Sequence, residues 1–176
     1  MKSKLLSRWF GSSDNRATQS PRITLRDGLT VLIVDDSRTQ LYAFEKMLNA
    51  EGVKTCTAEN GKQGILMARH LKPDLILMDI VMPEINGFQA TRYLTRQPDT
   101  AHIPIVIISG SDQQSDKAWG LKLGARDYIQ KPVQRDRLLE TISRWTAEVG
   151  VEKPRTTATE THKPEAATST AWVEAG

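Results

Sequence analysis

The sequence predicts a doubly wound α/β fold, with a five-stranded parallel sheet covered by helices on both faces. Short apolar runs alternate with helical patterns throughout residues 29–148. The runs are continuous instead of alternating in polarity, which is typical of strands buried on both faces. The order is five successive strand–helix units, and right-handed crossovers between such units give a sheet sandwiched between helices.

Each predicted strand is a short apolar run rich in β-branched residues or bounded by turn-forming residues. The five runs are Thr30–Val34, Val53–Thr57, Leu75–Met78, Ile103–Ile108 and Asp127–Gln130.

Each strand is followed by apolar residues at helical spacing. The first helix carries Leu41, Phe44 and Leu48 and ends at Gly52. The second is capped by Asn60, carries Ile65, Ala68 and Leu71, and stops before Pro73. The third is Gly87–Arg96. The fourth begins at a capping box, Ser111-x-x-Gln114, carries a stripe of Ala118, Leu121 and Ala125, and ends at Gly124; the fifth carries Leu138, Ile142 and Trp145.

Composition divides the chain into a domain and two extensions. Residues 1–28 are basic and polar, and residues 149–176 are rich in Thr, Ala, Glu and Pro, so neither end offers enough apolar surface to offset the entropy of ordering. Both ends are therefore predicted to be disordered. The basic arm contains Leu5, Leu6, Trp9 and Phe10, and a disordered extension is favoured over contact with an anionic membrane or a partner.

The overall composition argues against several classes of protein. The 24 Lys and Arg only slightly exceed the 21 Asp and Glu, whereas nucleic-acid binders usually carry a stronger basic excess. The single cysteine, Cys56, excludes an intramolecular disulfide and is predicted to be a small buried residue. No run approaches the roughly 18 apolar residues that span a bilayer, and no signal-peptide pattern is found at residues 1–10, so we expect a cytoplasmic protein.

Polar residues suited to phosphate and metal chemistry follow four of the five strands. They are Asp35-Asp36, Asp79, Ser109-Gly110 and Lys131-Pro132. Because the carboxyl ends of parallel strands meet at one edge, three carboxylates would converge there, and each like-charge pair costs on the order of 4 kcal/mol at about 4 Å. A divalent cation relieves this repulsion, and all-oxygen ligands favour Mg²⁺. A lone Asp after a strand is more often a cap or turn former, and Asp36 could cap the first helix, but the joint occurrence favours a site.

Several motifs resemble the CheY-like receiver domains of two-component response regulators over residues 29–147. They are Val31-Leu32-Ile33-Val34-Asp35-Asp36-Ser37, Leu77-Met78-Asp79-Ile80-Val81-Met82-Pro83, Asn86-Gly87, Ile107-Ile108-Ser109-Gly110 and Gly124-Ala125-x-Asp127-Tyr128-Ile129-x-Lys131-Pro132. The resemblance implies a flavodoxin-like sheet of order 2-1-3-4-5. Within the family, the chain is similar to the PilH-type stand-alone regulators of type IV pilus (twitching motility) chemosensory systems.

The resemblance implies a role for each residue at the strand ends. Asp79 matches the acceptor that takes a phosphoryl group from the phosphohistidine of a histidine kinase. Asp36 and Asp79 match direct Mg²⁺ ligands, Asp35 a ligand acting through water, and the Val81 carbonyl the remaining protein ligand. Val81 stands where the family often has Asn, beside the expected phosphoryl group. Lys131 matches the lysine that pairs with phosphoryl oxygens, with a cis bond to Pro132. Ser109 would donate to the phosphoryl group.

The resemblance also implies a switch and an output surface. Ser109 and Tyr128 match the pair that moves on phosphorylation and changes the face formed by helix 4, strand 5 and helix 5. Tyr128 as a plain packing residue is the alternative. Trp119 lies one step off the apolar stripe of the fourth helix, where half-buried packing is favoured over a role as partner anchor.

These features together predict a response regulator that accepts phosphate, assists its own phosphorylation and dephosphorylation, and is not otherwise an enzyme. It would signal to a downstream protein, as a monomer or weak dimer, in pilus motility or chemotaxis. Three rivals are less favoured. An aspartyl phosphatase or phosphotransferase would carry Asp-x-Asp after strand one, where Asp35 and Asp36 are adjacent. A phosphate-independent interaction module would not need the complete acidic set with Lys131. A DNA-binding regulator would need a further unit after the fifth helix.

Overall fold

A computed structural model describes residues 23–111 and 113–147, in which strands and helices alternate strictly along the chain. The strands are β1 (Thr30–Val34), β2 (Lys54–Ala58), β3 (Leu75–Asp79), β4 (Ile105–Ser109) and β5 (Asp127–Gln130). The helices are α1 (Arg38–Asn49), α2 (Gly61–Leu71), α3 (Gly87–Arg96), α4 (Gln114–Lys122) and α5 (Arg135–Ala147). None of the helices in the described ranges is long and apolar enough to cross a bilayer.

The five strands form one parallel sheet in the order β2-β1-β3-β4-β5, which confirms the predicted fold class and strand order. The order reverses at β1, because β1 pairs with β2 on one side and with β3 on the other. Ligands of such sheets bind outside the carboxyl ends of the strands at this point of reversal. The topology therefore places the ends of β1 and β3 at the centre of the rim where chemistry is expected.

The core consists of two layers, because successive side chains of a strand point to opposite faces of the sheet. Val31 and Ile33 face the layer that packs on α1 and α5. Leu32 and Val34 face the layer that packs on α2 and α3. All four are at most 1% exposed, so β1 is buried on both faces. Burial on both faces is the reason why the apolar run of β1 is continuous.

Three predicted strands have boundaries that differ from the structure by one or two residues. β4 begins at Ile105 and not at Ile103, since Pro104 has no N–H to donate, although its carbonyl accepts from the backbone of Ile76. β2 is shifted by one residue, to Lys54–Ala58, and β3 extends through Asp79. The extension of β3 makes Asp79 part of a rigid strand instead of the first residue of a loop.

The prediction for the start and the buried face of α4 is wrong. The helix is preceded by Gln113 as N-cap, whose side chain makes no capping hydrogen bond, and the Ser111 hydroxyl accepts from the Gln113 backbone N–H instead. The predicted stripe residues Ala118 and Leu121 are exposed, the third stripe residue Ala125 is buried but follows the helix, and the buried position within the helix is Gly120. Without a side chain at that position, α4 lies directly on β4 and α3.

Two other predicted core positions are less buried than expected. Leu71, assigned to the apolar face of α2, is 41% exposed because it lies in the last turn, next to the left-handed Lys72. Cys56 is only partly buried, since β2 is the edge strand of the sheet. Neither change affects the rim.

The segment before β1 packs against the domain. Ile23 and Leu25 lie partly buried against the core layer of α1 and α5, although the sequence places them in the N-terminal extension. Arg26 forms an ion pair with Asp74, and the other oxygen of Asp74 accepts from the Thr30 backbone N–H at 2.9 Å. The packed unit therefore begins before residue 29. Residues 1–22 and 148–176, where disorder is predicted, lie outside the described residues.

Candidate functional site

Four of the residues predicted at the site lie at the carboxyl ends of adjacent strands. Asp79 is the last residue of β3 and Ser109 the last of β4, while Asp35 and Lys131 each follow a strand directly. The parallel register pairs Asp79 with Ile108 and Ser109 with Gln130, so these ends reach the same level of the sheet. The pattern of apolar runs that end in polar residues thus produces one rim.

The centre of the rim is a lysine held between two buried carboxylates. The Lys131 ammonium donates to Asp79 Oδ1 at 2.6 Å and to Asp35 Oδ2 at 2.9 Å. Asp35 is 2% exposed and Asp79 is 6% exposed. The second oxygen of Asp35, Oδ1, accepts from the Ser37 backbone N–H at 2.9 Å. Two buried negative charges therefore share one positive charge.

This imbalance sets the proton affinities at the rim. Burial raises the pKa of Asp79; the hydrogen bond and charge of Lys131 lower it only in part, and the nearby Asp35 charge raises it further. Burial lowers the pKa of Lys131, but its hydrogen bonds with Asp79 and Asp35 outweigh this effect and hold the net pKa above the ordinary value. Lys131 is thus charged, and Asp79 is a carboxylate whose ionised form is destabilised by its surroundings.

The remaining predicted metal ligands are more open to solvent. Asp36 is exposed, and the residue Val81 is 75% exposed. In residues 23–111 and 113–147, no three His, Cys, Asp or Glu side chains form a ready-made metal site. The structure brings together Asp35, Asp79 and Lys131, and it does not bring the Asp36 carboxylate into a three-carboxylate cluster with them.

The two predicted switch residues are linked through the backbone of Ser111. The Ser111 N–H donates to the Ser109 hydroxyl at 3.0 Å, and the Ser111 carbonyl accepts from the Tyr128 hydroxyl at 2.9 Å. Tyr128 is 8% exposed and packs against Ile107 and Ala125. Displacement of the Ser109 hydroxyl would therefore act on the same residue that holds the Tyr128 hydroxyl.

Gly87 is a site-supporting residue to which the sequence analysis gave no role. A Cβ at Gly87 would lie 2.0 Å from the Asp79 carbonyl oxygen, and the Gly87 N–H donates to the Ile80 carbonyl at 3.0 Å. The start of α3 thus rests directly on the backbone of the rim. The Asn86-Gly87 pair was the available signal, because Asn86 caps α3 in a capping box with Gln89.

Lys131 and Pro132 are joined by a cis peptide bond. The Lys131 backbone N–H donates to the Ser109 carbonyl at 2.7 Å, which ties the end of β5 to the end of β4. This hydrogen bond fixes the backbone position from which the Lys131 side chain reaches across the rim.

Trp119 lies away from the rim, on the outer side of α4, and is 49% exposed. The Lys122 ammonium lies 5.6 Å from the centre of its ring. About half of the side chain is therefore buried, which agrees with the favoured half-buried packing, and the other half is open to solvent.

Comparison with known proteins identifies the family. The model of the response regulator receiver domain matches residues 31–143. The chain belongs to the response regulator receiver domain family. The match spans the five strands apart from Thr30, the first residue of β1, and it includes every residue of the rim.

Two curated receiver proteins are similar over nearly their whole length. Protein PilH of Pseudomonas aeruginosa is 52% identical over 113 residues, which cover 64% of this chain and 93% of that protein. The polar-differentiation response regulator DivK of Brucella anthropi is 34% identical over 113 residues, which cover 64% of this chain and 92% of DivK.

Solved receiver domains share the fold. The receiver domain of a signal transduction histidine kinase from Syntrophus aciditrophicus has a TM-score of 0.66 and 32% identity, covering 73% of this chain and 98% of that chain. The receiver domain of the sensor histidine kinase PA1611 from Pseudomonas aeruginosa has a TM-score of 0.64 and 30% identity, covering 68% of this chain and 98% of that chain. The latter was crystallised with a magnesium ion coordinated in its active-site cleft.

Proposed function

We propose that this response regulator is phosphorylated on Asp79 by the phosphohistidine of a histidine kinase, with Mg²⁺ at the rim. The observation that carries the proposal is the Asp79 carboxylate, buried at the end of β3 and in direct contact with Lys131. Such a carboxylate is poorly stabilised by its own surroundings. Formation of an acyl phosphate on Asp79 moves the negative charge outward, to oxygens that a metal and a lysine reach.

Lys131 supports the proposed transfer by its position. An Asp79 oxygen attacks the phosphorus, an O–P bond forms while the N–P bond to the imidazole breaks, and the imidazole nitrogen keeps the electron pair. The Lys131 ammonium, 2.6 Å from Asp79 Oδ1, lies where it neutralises the oxygens of the arriving group. Transfer of this kind depends mostly on positioning and charge neutralisation, so the domain assists a reaction whose phosphoryl group a partner supplies.

The donor set at the rim fits Mg²⁺. Asp35 and Asp79 already direct carboxylate oxygens at one cationic group, the Lys131 ammonium, and no softer ligand accompanies them in the described part of the rim. We propose Asp36, Asp79 and the Val81 carbonyl as direct ligands, with Asp35 acting through water. Mg²⁺ prefers such oxygen ligands, and when bound it supplies charge neutralisation to the phosphoryl oxygens. The exposed Asp36 side chain must turn inward to take part.

The signal would pass from Ser109 to Tyr128 through Ser111. Attraction of the Ser109 hydroxyl to the phosphoryl group removes the acceptor of the Ser111 N–H, and movement of Ser111 then releases the Tyr128 hydroxyl. The consequence is a population shift of the face formed by α4, β5 and α5, where Trp119 offers an exposed anchor for a downstream protein.

Because the Val81 side chain is exposed and apolar, it adds no hydrogen bond near the phosphoryl group.

The similarity to PilH over nearly its full length favours a role in type IV pilus motility or chemotaxis. The kinase and the output target would then be proteins of a chemosensory system, and nucleic acid would not be a partner. We further propose a cytoplasmic location and a monomeric or weakly dimeric state.

The test is labelling of the full chain with a radioactive phosphodonor, either acetyl phosphate or a phosphorylated histidine kinase, with and without Mg²⁺. Wild type should label only with Mg²⁺, and Asp79→Asn should not label. Asp99→Asn is the matched control, since it makes the same chemical change at a partly exposed surface carboxylate and should label normally. Labelling that persists in Asp79→Asn would exclude Asp79 as the acceptor.

A further inference from the structure

The two neighbouring helices α2 and α3 contain no acidic residue. Their sequences, GKQGILMARHL and GFQATRYLTR, carry basic side chains at Lys62, Arg69, Arg92 and Arg96, and Lys72 follows α2. Asp99 lies just after α3, and Glu59 and Glu84 lie in the loops that precede α2 and α3. The two helices themselves therefore present a local excess of basic side chains.

Part of this surface is held in a fixed arrangement. The Arg69 guanidinium donates to Asp99 at 3.1 Å, and the Lys72 ammonium donates to the Asp99 carboxylate at 3.2 Å and to its carbonyl at 2.6 Å. The orientation of Arg69 is thus set by its contact with Asp99, which reduces the entropy lost when Arg69 binds a further group.

Exposed apolar side chains lie among the basic ones. Leu66 is 58% exposed and Tyr93 is 39% exposed. Leu66 precedes Arg69 by three residues and Tyr93 precedes Arg96 by three, so each apolar side chain has a basic neighbour on the surface of its own helix. A solvated charged surface does not require large apolar groups at its centre.

We propose that this surface, the α2–α3 face formed by Lys62, Leu66, Arg69, Arg92, Tyr93 and Arg96, binds an acidic segment of a partner protein. Carboxylates of the segment would pair with the guanidinium groups, which can donate two parallel hydrogen bonds to one carboxylate, and its apolar side chains would cover Leu66 and Tyr93. Arg and Tyr are enriched at the centres of protein interfaces. A protein is favoured over an anionic membrane because the fixed Arg69 suits planar carboxylates at set positions.

The α2–α3 face is separate from the rim and from the face formed by α4, β5 and α5. Its residues lie along the outer sides of α2 and α3, while the phosphate chemistry lies at the strand ends. Binding there does not depend on the proposed phosphorylation, and it is measured on the unphosphorylated chain. Failure of one proposal therefore leaves the other standing.

The experiment uses the ¹⁵N-labelled full chain and a synthetic helical peptide in which Glu residues flank a leucine stripe. Amide shifts should change on α2 and α3, and Arg92→Glu/Arg96→Glu should weaken binding about tenfold. Lys117→Glu/Lys122→Glu makes the same change of charge on α4 and should weaken binding less than about twofold. Leu66→Ser should weaken binding several-fold with an unchanged melting temperature.

Three results would overturn the proposal. The first is equal weakening by the two double variants, which would indicate general attraction between opposite charges. The second is an absence of shifts on α2 and α3 at saturating peptide, or equal binding of a peptide with Lys in place of Glu. The third is tight binding to phosphatidylglycerol vesicles, lost in Arg92→Glu/Arg96→Glu, together with no binding of the acidic peptide; that result would assign the face to a membrane.

Discussion

Replacement of Lys131 by Met should destabilise the fold, because two buried carboxylates depend on this one ammonium. The substitution keeps an unbranched side chain of similar length and removes the charge. Asp35 and Asp79 then lie side by side with no cation between them. The experiment is done with EDTA present, so that no metal replaces the lost charge.

The expected loss follows from the geometry. Contacts of 2.6 and 2.9 Å correspond to a gross attraction of roughly 6 kcal/mol each at an effective dielectric near 20. Desolvation of the three charged groups offsets most of it, and removal of one partner from a buried pair costs about 3 to 5 kcal/mol. Since the Lys131 side chain is 19% exposed, the lower end applies. We expect the free energy of unfolding at pH 7 to fall by about 3 kcal/mol.

Urea unfolding followed by tryptophan fluorescence measures this loss, and a double-mutant cycle identifies its cause. In the Lys131→Met background, Asp79→Asn should restore much of the stability, with a coupling energy above about 1 kcal/mol. The loss should shrink as the pH falls, because protonation removes the uncompensated charge. Lys122→Met on α4 is the surface control. A loss below about 1 kcal/mol at pH 7 with no coupling to Asp79 would refute this electrostatic account.

Three further substitutions test other parts of the structure. Asp79→Asn alone should raise the free energy of unfolding by roughly 1 kcal/mol at pH 7. Because the pKa of Asp79 is raised in the fold, wild type loses stability as the pH rises above the ordinary carboxyl pKa of 3.8. The urea midpoints of the two proteins should therefore converge below pH 3.8 and separate above it. Gly87→Ala should destabilise by about 3 kcal/mol or more, since its Cβ meets the Asp79 carbonyl, whereas Gly110→Ala, with open space around it, should have a thermal midpoint near that of wild type. Thr95→Val should cost about 1 kcal/mol and speed amide exchange in the last turn of α4, because the Thr95 hydroxyl donates to the Leu123 carbonyl at 2.8 Å. Thr95→Ser keeps the hydroxyl and should behave as wild type. Unchanged exchange in Thr95→Val would count against a stabilising role for this hydrogen bond.

The fold was predictable because its three central strands are buried along almost their whole length. Continuous apolar runs such as those of β1 and β3 leave little ambiguity, and the polar residue that ends each run marks the rim. The sheet topology alone then predicts that Asp35 and Asp79 lie close together, and no side-chain coordinates are needed for this prediction. The placement of a candidate site at the strand ends therefore follows from the sequence pattern and the rules for parallel sheets.

The α4 helix was harder to predict because its buried contact is a glycine. A Cβ at Gly120 would lie 2.5 Å from the Ile107 side chain, so the close approach of the helix requires the absence of a side chain. A search for bulky apolar residues at helical spacing finds Leu121 instead, which is 42% exposed. Hydrophobic periodicity identifies a helix packed through large side chains and fails for one packed through its backbone.

The details of the rim depend on side-chain geometry that a linear pattern does not contain. Lys131 is 96 residues from Asp35 and 52 from Asp79 in the sequence, yet it bonds to both. The Ser111 connection between Ser109 and Tyr128 uses backbone groups, which leave no trace in residue identity. Such links are found only when the loop conformations are known.

The Asp74 contact has a consequence for how the molecule tolerates change. Asp74 precedes β3 and fastens the chain entry at Arg26 and Thr30, while Asp79 ends the same strand five positions later. One short strand thus has a structural anchor just before its start and the proposed phosphoryl acceptor at its end. Fusions or substitutions upstream of β1 would act on the contacts of Asp74, and the buried length of β3 separates those contacts from Asp79.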